Sequence, residues 1–321
     1  MKKEGLKAIW TKLSQTAIEP GRSYKILRFD ENCSADVFVG MTRSGDRCLI
    51  LSEPAPVQKP IEREKLCLVY DENIPGLVLL LSDDTYCDLF DELISSMYIV
   101  VKDLTSKQDA IEKFRAHFIK WSAFFDSEFS ARLSDEAVMG LLGELKVLEW
   151  FLAEADELSV NAILESWRGP YDEGQDFVLD DRLIEVKTVG IRSRQITINS
   201  LHQLTEVEGK DLNLLINTAF PETESGDSIN SLVTKIRNET ISLLGDTSIL
   251  YKALSQKGLG PRNLEDYEHL RFGFRKEDIF DVLLDGFPRL TNAVVLDGIT
   301  SVKYDLSLSA LEPFLISSRE Y

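Results

Sequence analysis

The sequence predicts a mixed α/β (α+β) fold with a β-rich N-terminal domain, and three observations predict it. Short apolar runs divided by turn residues fill the first third of the chain. Helical periodicity follows over about residues 106–152, and strand-like runs then alternate with helical ones. At 321 residues the chain is long enough for two domains, or for one large core with additions. The expected division is a β-rich domain over residues 1–100 and an α/β domain over 101–321, with its motif core at 134–205 and a C-terminal extension.

Residues 5–15 are expected to form a terminal helix. Residues 23–29, 35–40, 47–51, 66–70 and 77–81 read as strands, with Ser44-Gly45 as turn material. Ser106 can cap a helix reaching about Phe125, in which Ile111, Phe114, Phe118, Trp121 and Phe125 recur at three- and four-residue intervals. Ser134, Asp135 and Glu136 open a second helix, whose Val138, Leu141, Leu142, Leu145, Leu148 and Leu152 form a wide apolar stripe. Glu144 lies near the border of that stripe, where burying a carboxylate is expensive unless a metal or a base meets it. Glu149 competes for the same role but falls about 140° further around the helix.

The chemistry concentrates in the next segment. Asp176 is followed, after eight residues, by Glu185-Val186-Lys187. On a strand Glu185 and Lys187 leave one face and Val186 the other. Asp180-Asp181 suits a tight turn, and the resulting hairpin folds Asp176 back toward Glu185. Oxygen ligands so gathered can hold a hard divalent cation with an ammonium beside it. Residues 195–199 read as a third strand, and Ser200 as the cap of a short helix carrying His202, Gln203 and Leu204. Residues 211–217 read as a buried strand of the same sheet, and 228–242 as a helix with Ile229, Leu232, Val233 and Ile236 on one side. Residues 267–316 return to strand-like runs, 267–275 and 293–296 among them.

This Asp-(x)8-Glu-Val-Lys pattern resembles the active-site signature of the PD-(D/E)XK nuclease superfamily, which includes type II restriction endonucleases, Holliday-junction resolvases and archaeal and phage exonucleases. Gln175 stands where the naming proline would be. The segment from Gly140 to Glu149 resembles the superfamily's preceding helix, and Trp167-Arg168-Gly169-Pro170 occupies the loop into the first catalytic strand. The match covers about residues 134–205 and is similar to members encoded beside bacterial restriction-modification and phage-defence genes. The resemblance implies a restriction-endonuclease-like mixed sheet flanked by helices and a Mg²⁺-dependent endonuclease acting on DNA, with Mn²⁺ as an alternative metal. It implies Asp176, Glu185, the Val186 carbonyl and Glu144 as metal ligands, and Lys187 as the residue that orients water or stabilises the transition state. An adjacent dication and ammonium would lower the carboxylate pKa values. Arg192 and Arg194 are candidate phosphate contacts, and Ser200 and Gln203 candidate DNA contacts. Cutting both strands would favour a homodimer. The rival reading is a catalytically silent scaffold or binding subunit of a defence complex. A resolvase or RNA nuclease would use the same chemistry.

The net charge of −18 opposes a polyanionic partner, because DNA binding rests on phosphate neutralisation. Residues 182–210 run against that trend, with Arg182, Lys187, Arg192, Arg194 and Lys210 facing Glu185, Glu206 and Glu208. Cys33, Cys48, Cys67 and Cys87 match neither zinc nor redox spacing and are expected to be reduced thiols. No apolar run approaches the roughly 20 residues of a membrane span, and no apolar signal core follows the N-terminus, so a cytoplasmic protein is expected. His117, His202 and His269 show no ligand spacing.

Overall fold

The computed structural model describes residues 3–321 apart from 32, 54–59, 72–73, 127–131, 173, 292 and 297. The chain divides into two compact units, one of residues 1–129, 246–252 and 260–262, the other of 130–245, 253–259 and 263–321.

The first unit begins with α1 (Lys3–Gln15), followed by β1 (Tyr24–Arg28), β2 (Val37–Thr42), β3 (Arg47–Leu51), β4 (Ile61–Glu62), β5 (Leu66–Asp71) and β6 (Gly76–Leu81). These strands form one antiparallel sheet in the order β1-β2-β3-β6-β5-β4. Residues 1–100 are not strand throughout: α2 (Cys87–Val101) occupies their last part. Its Leu89, Phe90, Leu93, Ile94, Met97 and Val101 are buried at helical intervals, a period-3.6 stripe that continues the apolar run of β6 without a glycine or proline between. In α3 (Lys107–Asp126) the expected aromatic stripe is buried, and Ser106 Oγ accepts from the Asp109 N–H at 3.3 Å.

The second unit carries the motif. In α4 (Asp135–Ala153) the Ser134 hydroxyl caps the helix by accepting from the Ala137 N–H. After α5 (Val160–Ser166) come β7 (Phe177–Val178), β8 (Arg182–Gly190), β9 (Gln195–Ile198) and β10 (Asp211–Pro221). The helices α6 (Ile229–Ser242) and α7 (Thr247–Gln256), of which residues 247–252 count with the first unit, precede β11 (Phe272–Asp281), β12 (Tyr304–Ser307), the short α8 (Leu308–Leu311) and β13 (Leu315–Glu320). A mixed five-stranded sheet runs β13-β11-β10-β8-β7, in which β8 and β10 are parallel and the other pairs antiparallel. Parallel neighbours need a long crossover, which residues 191–210 supply. The helix α4 packs on β8 and on α6. This mixed α/β arrangement is a restriction-endonuclease-like fold.

Several expectations are corrected. β9 pairs with β12 as a separate two-stranded sheet, placed by the crossover that carries the chain from β8 to β10. Residues 201–204 form a 3-10 turn, and the Ser200 hydroxyl makes no capping bond. Instead Gln203 Oε1 accepts the Asn199 N–H at 2.7 Å. Tyr267 closes a 3-10 turn and the strand begins only at Phe272. Residues 293–295 are turn and bend, and the apolar Val294 and Leu296 are exposed, with no strand partner among the described residues. Among the described residues no helix is long and apolar enough to cross a membrane.

Candidate active site

The hairpin forms around Asp180-Asp181. Leu179 donates its N–H to the Arg182 carbonyl at 2.9 Å, and β7 pairs with β8 in the register Phe177↔Ile184 and Val178↔Leu183. Continuing that register sets Asp176 opposite Glu185. β7 is only two residues long, so among the described residues β8 beyond Ile184 has no ladder partner on that edge. There the Val186 N–H donates to Asp176 Oδ2 at 2.8 Å. A strand residue's carbonyl leaves on the same edge as its N–H, so the Val186 carbonyl faces the same side.

Glu185 and Lys187 share the face of β8 that carries Leu183 and Val189 into the hydrophobic core, with Leu214 and Ile216 of β10 alongside them. Glu185 is 1% exposed. Its Oε1 accepts from Lys187 Nζ at 2.7 Å, and its Oε2 is buried with no hydrogen-bond partner among the described residues. Glu144 arrives from α4, where the Trp167 indole N–H donates to its Oε2 at 2.8 Å. Trp167 is therefore both a core side chain and the residue that orients Glu144.

Two glycines let these groups approach. A Cβ on Gly169 would collide with Glu144 Oε2 and Asp176 Oδ1, so both carboxylates lie against the bare backbone of the Gly169 turn. That turn is fixed by the Arg168 and Gly169 N–H groups, which both donate to the Asp176 carbonyl. A Cβ on Gly143 would collide with Thr188 Oγ1, so α4 sits close on β8. Gln175, at the position of the naming proline, is buried and donates through Nε2 to the carbonyls of His202 at 2.7 Å and Thr205 at 3.0 Å.

Burial pushes all three acids upward. Desolvation is the leading cause for Glu144, Asp176 and Glu185, and the proximity of Asp176 adds to it for Glu144 and Glu185. Lys187 pulls each of them down and Lys257 also lowers Glu144 and Asp176, but two ammoniums do not offset the burial of three carboxylates. Such acids stay charged together only if more positive charge reaches them. Their oxygens and the orphaned Glu185 Oε2 are donors of the type a hard divalent cation takes. Among the described residues no three Asp, Glu, His or Cys groups stand at the spacing of a bound ion.

The acids open on a cleft of about 440 Å³ that also receives Gln203, Gln195, Thr197 and Asn199. On β9 the buried Ile196 and Ile198 alternate with the polar Gln195 and Thr197, a period-2 pattern visible in the sequence that could have assigned the latter pair to the cleft. Lys257 and Glu136 also line it, and no local signal marks either. Arg192 and Arg194 are exposed on the β8–β9 loop outside the lining, and Ser200 lies outside it as well. Of the remaining histidines, His117 is buried and hydrogen-bonded, while His202 and His269 are exposed.

Residues 6–309 match a protein family described as "Putative PD-(D/E)XK family member, (DUF4420)". No curated protein and no solved structure matches the chain.

Proposed function

The chain belongs to this PD-(D/E)XK family, and from that premise we propose that it is a Mg²⁺-dependent endonuclease hydrolysing phosphodiester bonds of DNA, with Mn²⁺ as an alternative metal. The supporting observation is convergence: Glu144 from α4, Asp176 from the start of the hairpin, and Glu185 with Lys187 from β8 meet on one cleft. Asp176, Glu185, Glu144 and the Val186 carbonyl would hold the cation. When bound, the metal supplies Lewis-acid polarisation of the scissile phosphate and a lowered pKa for an attacking water.

The protein's own groups have separable tasks. The Val186 N–H holds Asp176 Oδ2, leaving Oδ1 toward Glu144. The Trp167 indole fixes Glu144. Lys187 holds a positive charge where negative charge develops on the phosphate, in a partly buried site where that charge is weakly screened. By the resemblance to members encoded beside bacterial restriction-modification and phage-defence genes, the activity would serve restriction or phage defence. The acids of one chain gather at a single place among the described residues, so cutting both strands would call on a homodimer, or on this chain as a subunit of a defence complex.

The net charge of −18 favours the second reading, a catalytically silent scaffold of the same fold. Plasmid nicking in Mg²⁺ or Mn²⁺ at low salt separates the two. Wild type is expected to nick, and Asp176→Ala and Lys187→Ala to lose at least about a hundredfold in rate. Equal activity in all three proteins sinks the active-site assignment. Inactivity of wild type on DNA and RNA alike supports the scaffold.

A further inference from the structure

Resting on the nuclease reading, we propose that Lys257 is a phosphate-contacting residue of this cleft, paired with Asp172 in the free protein and transferred to a backbone phosphate when nucleic acid enters. The charge distribution calls for such a group. Among the described lining residues five are acidic, Glu136, Glu144, Asp172, Asp176 and Glu185, and only Lys187 and Lys257 are basic. Lys187 is committed to Glu185, whose side chain is 1% exposed. Lys257 is differently placed. Its Nζ meets Asp172 Oδ1 at 2.6 Å, and that carboxylate is 83% exposed. An ion pair with so exposed a partner is easily exchanged, since water screens and competes for it.

The position also suits the task. Lys257 lines the same cleft as Glu144 and Asp176, the two acids that would face the scissile group, and its charge favours the ionised form of both. Asp172 is held at the cleft by a left-handed backbone (φ 55°), one of two described non-glycine residues with positive φ. Its N–H donates to the carbonyl of Gly169, the residue against which both acids lie. The 3-10 turn Gly169–Tyr171 thus lies against the acids at one end and leads into the partner of Lys257 at the other. A phosphate arriving at the cleft would find an ammonium in the same lining as the acids, held among the described residues by a solvated carboxylate.

The test is binding of a short fluorescein-labelled DNA duplex, followed by anisotropy over a NaCl series, with Ca²⁺ as the hard cation in place of Mg²⁺. Lys257→Ala is expected to weaken binding roughly tenfold at low salt and to reduce the slope of log K against log salt by about one. Lys257→Arg should stay near wild type. Asp172→Ala frees the lysine and should tighten binding about threefold, a gain that vanishes in the Asp172→Ala/Lys257→Ala double variant. Unchanged affinity and slope in Lys257→Ala overturns the proposal, as does an Asp172→Ala gain that persists without the lysine. Thermal melts of the variants matching wild type exclude a folding defect as the cause of any loss. If wild type itself neither binds duplex DNA, single strands or RNA nor nicks plasmid, the nuclease reading fails first and the proposal with it.

Discussion

Gly140 and Gly143 lie on one helix and make opposite predictions. Nothing lies within 4 Å of a Cβ built on Gly140, so Gly140→Ala should stabilise α4 by about 1 kcal/mol through helix propensity alone. Gly143→Ala brings the same propensity gain but drives a methyl into Thr188 on β8, and overpacking of about 1–3 kcal/mol should prevail. Urea midpoints read both signs; a Gly143→Ala protein more stable than wild type would contradict the close helix–strand approach. His117 supplies a pH prediction elsewhere in the chain. The Trp121 indole N–H donates to its Nε2 at 3.0 Å, Ser96 Oγ lies 2.7 Å from the same nitrogen, and burial pushes its pKa down to about 4. The unfolded chain takes up this proton near 6.5 and the folded one only near 4. The contribution is therefore complete above pH 6.5 and is lost as pH falls through that window, by roughly 3 kcal/mol in all. Wild type should lose more stability than His117→Gln between pH 7 and pH 5, and parallel pH profiles would sink the assignment. At this scale the sequence was legible where spacing alone decides position. Glu185 and Lys187 share a strand face because they are two residues apart, whereas Lys257 reaches the acids only through tertiary folding.

The same contrast holds for the elements. The strands of the first unit and the stripes of α3 and α4 follow from periodicity, and their buried residues are those the pattern marks. α2 escaped because its apolar stripe is interspersed with the buried polar Asp91, Glu92, Ser95 and Ser96, which blur a helical face in sequence. Asp91 is accounted for only across the unit, by the Trp10 indole N–H and by Arg47. The place of β9 was hidden for another reason: strand pairing is nonlocal, and β12, its partner, lies more than a hundred residues on. Gln175 belongs to this scale because it ties the β7–β8 hairpin to the 3-10 turn bearing Gln203. Gln175→Ala leaves two carbonyls short of a buried donor, at a cost of about 1–3 kcal/mol. Faster amide exchange is expected over residues 201–205, and unchanged protection there would refute the tie. Gln175→Pro restores the residue that names the motif yet lacks the same donors, so it should loosen the turn as much.

For the whole molecule the deciding quantity is charge. A chain of net −18 that buries three carboxylates in a cleft with two lysines should be less stable as pH rises without a cation. The sign follows from the raised folded-state pKa values: above the ordinary carboxylate range the folded protein holds protons that the unfolded chain has released, so raising the pH favours unfolding. A bound divalent cation reverses this, because it takes the ionised acids as ligands and competes with protons for them. Thermal melts with and without Mg²⁺ should therefore diverge as pH increases from 6 to 8. At a free Mg²⁺ concentration a hundred times its Kd, binding adds about 2.7 kcal/mol. For a unit of this size that is a rise of roughly 5–10 °C in Tm. An acidic surface also gathers Mg²⁺ without specific ligands, so the comparison must be made at constant ionic strength and against Asp176→Asn and Glu185→Gln. Those variants should lose most of the shift, because each removes a charged donor from the cluster while leaving the surface acids in place. A rise of equal size in all three proteins would assign it to diffuse screening and remove the metal from the cleft.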